Sequence, residues 1–124
     1  MSSKKALIAE VAKLQGIQES LMAIAKRTDE ARKMDLVTLR RQLAMQIGAV
    51  SSEAEQGFLQ HADENSAREF RTLMSAMRRA IALHQANFPA ARINENSFGY
   101  HESVTAVQDV NSKFVEWVDA NLRN

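Results

Sequence analysis

Interruptions are scarce in this chain. One proline (Pro89) and four glycines punctuate 124 residues, 19 of which are alanine. Long apolar stripes at helical spacing fill the rest, and a segment free of breakers with that period reads as amphipathic helix. The expected fold class is all-α, and the expected architecture is an antiparallel up-down-up-down four-helix bundle.

Four segments carry the pattern, over about 4–33, 36–61, 67–88 and 98–123. The first repeats Leu7, Val11, Leu14, Leu21 and Ala25 at three- and four-residue steps, with Gln18 filling the gap and Ile8, Ile17 and Ile24 widening the stripe. No glycine or proline ends it. A turn is expected at 32–35, with Asp35 as N-cap and Met34 and Leu39 as a hydrophobic staple. The second segment holds Leu36, Leu39, Leu43, Ile47, Val50, Ala54 and Phe58. Ser66-Ala67-Arg68-Glu69 then has the form of a capping box, in which serine and glutamate each satisfy an orphan N–H at a helix start. Phe70, Met74, Met77, Ile81, His84 and Phe88 form the third stripe. Pro89 stops it by pushing Phe88 out of the helical region. The fourth holds Val104, Val107, Val110, Phe114, Trp117, Val118 and Leu122, and its β-branched residues make packing the main source of its stability. Short links between helices of similar length imply antiparallel neighbours, and the whole chain reads as one domain.

Composition narrows the function classes. With 45% hydrophobic and 25% charged residues the chain is globular in character, and at this length folding buries roughly two thirds of the unfolded surface. There is no cysteine, which removes disulfides, thiolate metal sites and cysteine nucleophiles. The basic start, Met1-Ser2-Ser3-Lys4-Lys5, precedes an apolar run too short for a signal peptide, and no run approaches a membrane span. A cytoplasmic protein, complete as given, is the expectation.

Histidine chemistry finds no motif. Carboxylate-bridged di-iron bundles use Glu-x-x-His, whereas Phe58, Ile81 and Phe98 stand three before His61, His84 and His101. Spacings of the hemerythrin type fail as well, because Asn65, Phe88 and Thr105 follow the same histidines by four. Neither a metal nor a cofactor is expected. Histidine phosphotransfer domains are also small four-helix bundles, but their histidine precedes a lysine-glycine pair. Here His84 precedes Gln85-Ala86 and His101 precedes Glu102-Ser103. His84 also lies on the apolar stripe, where a hydrogen-bonded core histidine is the ordinary outcome.

Charge is more informative. In the expected topology Lys26, Arg27, Arg32, Lys33, Arg40, Arg41, Arg78, Arg79 and Arg92 gather at one end, against Asp29, Glu30, Asp35, Glu95 and Glu102. A chain of net charge +1 is thereby polarised, and its basic end favours an anionic partner unless local pairs neutralise it. The irregular stretch 88–100, with Asn94, Asn96, Phe98, Tyr100 and His101, lies at that end and is the best local candidate for a site. Arg78, His84, Arg92, Asn94, Tyr100 and His101 are its candidate ligand-binding residues, and no residue is a candidate catalyst.

These readings point to a non-enzymatic module, a regulator, adaptor or export-chaperone-like bundle. Its partner would be a protein, acidic if it meets the basic end, or a second copy of the chain. Methionines such as Met22, Met45, Met74 and Met77 suit adaptable contact, though such residues also fill cores. The modest net charge and few aromatics disfavour nucleic acid. Two alternatives are phosphotransfer through His84 or His101, and a sensor holding a small anion at the open end of the bundle. For the sensor, Ile24, Phe88, Phe98 and Val104 would form the apolar wall.

Overall fold

The computed structural model describes residues 3–95 and 97–123, so Met1, Ser2, Asn96 and Asn124 lie outside the described residues. The fold is helical throughout, 86% helix with no strand among the described residues. Helix α1 spans Ser3–Ile24 and α2 spans Arg32–Gln56. Past Gly57, the single turn α3 (Phe58–His61) extends α2. Helix α4 covers Glu64–Asn87, a 3₁₀ turn covers Ala90–Arg92, and α5 covers Ser97–Leu122. Along their lengths α1 packs on α2, α4 on α5, and α1 on α5.

Burial follows the apolar stripes closely. Leu7, Val11 and Leu14 of α1, Leu43, Ile47, Val50 and Ala54 of α2, and Phe70, Met74, Met77 and Ile81 of α4 meet Phe114, Val118 and Leu122 of α5 in the main core. Each large side chain withdrawn from water in this way contributes about 1.5–3 kcal/mol. At one end the rings of Phe58, Phe70, Phe114 and Trp117 stack edge-on and tilted, with centroids 5.5–6.2 Å apart. Trp117 keeps its indole N–H satisfied by donating to Glu69 Oε1 at 2.9 Å.

Three boundaries differ from the sequence reading, each for a local reason. The first helix ends at Ile24 rather than near Lys33, and the break occupies 25–31. Ala25, Lys26 and Arg27 donate to the carbonyls three residues back, tightening the last turn into 3₁₀ geometry. Arg27 then grips Asp29 at 2.6 and 2.8 Å and Asp35 at 2.8 Å, tying the break to the first turn of α2. Asp35 therefore serves that ion pair inside the helix and is not an N-cap. The Asp29 carboxyl is held at about 2 by the hydrogen bonds from Arg27. Second, the capping box at Ser66 does not form. Asp63 is the N-cap of α4, and its Oδ1 accepts from the Ser66 N–H at 2.8 Å, one turn earlier than expected. Third, Pro89 ends α4 as expected, with Phe88 in the C-cap position, but the stretch that follows is partly ordered by the 3₁₀ turn and ends when α5 begins at Ser97.

Candidate functional site: a central cavity with a half-buried arginine

Four polar residues fall at core-phase positions of the long helices. Gln18 continues the α1 stripe, Arg40 lies between Leu36 and Leu43 on α2, His84 follows Ile81 on α4, and Asn111 lies between Val107 and Phe114 on α5. Polar groups there keep the apolar side chains from closing into a single core. The buried apolar residues accordingly separate into the main core and a smaller cluster of Ile24, Ala25, Leu36, Ile93 and Tyr100. Between them lies a cavity of about 490 Å³, within the usual range for small-molecule sites. Leu21, Leu36, Leu43, Ile81, Val104 and Val107 supply its apolar wall, and all four long helices line it.

The cavity has a cationic end. The Arg40 guanidinium is half-buried and donates to the Phe88 carbonyl at 2.8 Å, and no acidic side chain pairs with it among the described residues. Desolvation lowers its pKa, as expected of a charge lacking a counter-ion. His84 and Tyr100 stand beside it. Their rings are 5.5 Å apart, and both pack on Phe88 at 5.6 and 5.8 Å. Ser103 Oγ lies 2.6 Å from His84 Nδ1. Burial, with a smaller contribution from the Arg40 charge, depresses the His84 pKa to about 4, so the ring is neutral at pH 7. Burial likewise raises the Tyr100 hydroxyl above its usual value.

The depressed histidine has a stability consequence. As pH falls below about 6.5 the unfolded chain takes up a proton that folded His84 refuses until about pH 4. The stabilisation is therefore complete above pH 6.5 and shrinks as pH falls toward 4. Because the ring is partly solvated, the full shift overstates the effect, and a loss of about 1 kcal/mol between pH 7 and pH 5 is expected. Urea denaturation of the wild type and His84→Gln at the two pH values measures it. Equal losses in both proteins would remove His84 as the source.

About three turns along α5 from Tyr100, the cavity changes character. Asn111 is 7% exposed, and its Oδ1 has no hydrogen-bond partner among the described residues. A buried amide oxygen in that state costs about 1–3 kcal/mol and calls for an explanation. Gln18, equally buried, has only the weak acceptor Met77 Sδ, at 3.8 Å. Exposed lining residues, Gln15 and Glu19 on α1 with Gln108 and Glu116 on α5, mark where the cavity meets solvent at its mouth.

Of the residues expected to form a site, the structure brings two to the cavity, His84 and Tyr100. Arg92 is exposed and pairs with Glu95 at 2.9 Å. Asn94 Oδ1 accepts from the buried Arg32, which also donates to the Arg27 carbonyl, so Asn94 pins the loop rather than facing a ligand. Arg78 and His101 are exposed and lie outside the lining. Phe98, expected in the apolar wall of the open end, is 74% exposed, while Ile93 and Tyr100 pack there beside Ile24 and Leu36. Arg40 and Asn111, which carry the polarity of the cavity, were readable as polar residues in apolar phase. No group of three or more His, Asp or Glu side chains is placed to hold a metal ion among the described residues, and no described helix is long and apolar enough to cross a membrane. No family model, curated protein or solved structure matches the chain.

Proposed function

We propose that this chain is a non-enzymatic ligand-binding bundle, with four helices in up-down-up-down order around a site for a small amphipathic anion. The observation that carries the reading is Arg40, a half-buried cation without an acidic partner among the described residues, on the wall of a largely apolar cavity. A bound carboxylate would supply the missing counter-charge through a charge-assisted, potentially bidentate hydrogen bond. The helix order is supported by pairs that run in opposite directions. Glu10 meets Gln46 while Ile24 clusters with Leu36, and Glu69 meets Trp117 while His84 meets Ser103.

Phosphotransfer finds less support, since His84 is half-buried with Nδ1 engaged, and the exposed His101 is followed by Glu102-Ser103 rather than a lysine-glycine pair. A role as an adaptor has one specific observation in its favour. Met34, Val37 and Met45 stand exposed on α2, the two methionines about three turns apart and so on one face. In this reading ligand occupancy sets how that face meets a protein partner.

Calorimetric titration with decanoate tests the central claim. Saturable binding is expected, and at a hundredfold excess over Kd it should stabilise the fold by about 2.7 kcal/mol. Val107→Phe, which places a ring in the cavity, should abolish binding while leaving the helical content intact. Absence of binding to the wild type, or binding unaffected by Val107→Phe, would overturn the reading.

A further inference from the structure

The ligand cavity is chemically two-ended, and its two ends select different groups. At one end stand Arg40 and Tyr100, whose guanidinium and hydroxyl groups are donors beside apolar side chains. At the other, Asn111 offers a buried, unpartnered acceptor oxygen, and the neighbouring mouth carries the carboxylates Glu19 and Glu116. Neither of these two acids takes part in an ion pair among the described residues, whereas Asp119 beyond them is paired with Arg123 at 2.7 Å. Between the ends the wall is Leu21, Leu43, Ile81, Val104 and Val107. Tyr100 and Asn111 are separated along α5 by ~16 Å of helix rise.

We infer that the ligand is a bipolar, long-bodied molecule, with a carboxylate held at Arg40 and Tyr100, an apolar chain along the cavity, and an amine directed at Asn111 and the acidic mouth. This deepens the reading of the cavity as an anion-binding site and rests on it. A simple fatty carboxylate would satisfy Arg40 but leave the Asn111 oxygen buried against hydrocarbon. A simple alkylamine would satisfy Asn111 and the mouth but leave Arg40 without its counter-ion. Only a molecule charged at both ends, and long enough to span the distance, answers both. Short amino acids carry the two charges too close together.

Calorimetric titration of the full chain with 12-aminododecanoate, dodecanoate, dodecylamine and 6-aminohexanoate decides the matter. The expected order places 12-aminododecanoate at least tenfold tighter than dodecanoate or dodecylamine, with 6-aminohexanoate weakest. Arg40→Met should weaken 12-aminododecanoate and dodecanoate at least tenfold and leave dodecylamine unchanged. Should that variant fail to fold, Tyr100→Phe replaces it, with a severalfold loss confined to the two carboxylates. Asn111→Leu should bring 12-aminododecanoate down to the affinity of dodecanoate. If dodecanoate equals or exceeds 12-aminododecanoate in the wild type, the bipolar assignment is overturned while the anion site stands. If dodecylamine is the tightest of the four, the carboxylate assignment falls. If none binds, the cavity reading falls with it.

Discussion

Phe70→Ala is expected to destabilise the fold by ~3–5 kcal/mol, the usual range for truncating a buried phenylalanine. Phe70 is 2% exposed and touches three other rings, those of Phe58, Phe114 and Trp117. Its loss removes the transfer free energy of one ring and also the edge-to-face contacts, each worth ~0.5–1.5 kcal/mol beyond area burial. The remaining rings belong to α3 and α5 and are anchored by their own helices, so they cannot collapse fully into the space. Against a total stability of ~5–15 kcal/mol for a domain of this kind, such a change removes a large fraction. Thermal denaturation followed by circular dichroism should show a fall in Tm of ~10–20 °C. Phe98→Ala is the matched control. That ring is 74% exposed, and its removal should change stability by no more than ~0.5 kcal/mol. A loss from Phe98→Ala rivalling that from Phe70→Ala would mean that the aromatic end is not where the fold is held.

The contrast between these two phenylalanines shows what the sequence carries and what it withholds. Phe70 is on a stripe with Met74, Met77 and Ile81, and periodicity alone places it inside. Phe98 stands at the start of a helix where no stripe has yet been established, and only the docking of Ile93 and Tyr100 into the space beside Ile24 and Leu36 leaves it outside. The place of the break after α1 was hidden for a related reason. A turn at 32–35 is legible, but its place at 25–31 depends on Arg32 reaching across to Asn94, and a contact between residues so far apart leaves no local signature. The Arg27 pairs with Asp29 and Asp35, by contrast, are near in sequence. The capping-box pattern at Ser66 points to a start for α4 that is one turn late, because Asp63, three residues before it, has equally good cap chemistry. Asp63 wins, and Ser66 becomes the residue that donates to it. The site was half legible. His84 is singled out on an apolar stripe and Tyr100 in the irregular stretch 88–100, while Arg40 reads as one of nine cations gathered at the basic end. Its phase between Leu36 and Leu43 was the overlooked signal, and Asn111, between Val107 and Phe114, carried the same one.

Asn111→Leu should make the ligand-free protein more stable by ~1–3 kcal/mol, an unusual direction for a core substitution. The two side chains share their branching and heavy-atom count, and the adjoining cavity has room for leucine's larger methyl groups. Substitution removes an amide oxygen that is buried without a partner and replaces it with apolar surface against Val107 and Phe114. Asn111→Ala separates the two contributions. It also deletes the unsatisfied oxygen but enlarges the cavity, and the cost of the added void should cancel most of the gain. Urea denaturation of the three proteins without ligand measures the differences. The expected ranking is leucine most stable, with asparagine and alanine close together below it. A polar group that weakens the empty protein is explicable if it contributes when the cavity is filled, since binding sites commonly retain features that lower stability. Leucine at 111 should therefore gain stability and lose discrimination for the amine end of the ligand together. If Asn111→Leu instead destabilises by a kilocalorie or more, the amide is satisfied within the protein and is no longer available to a ligand.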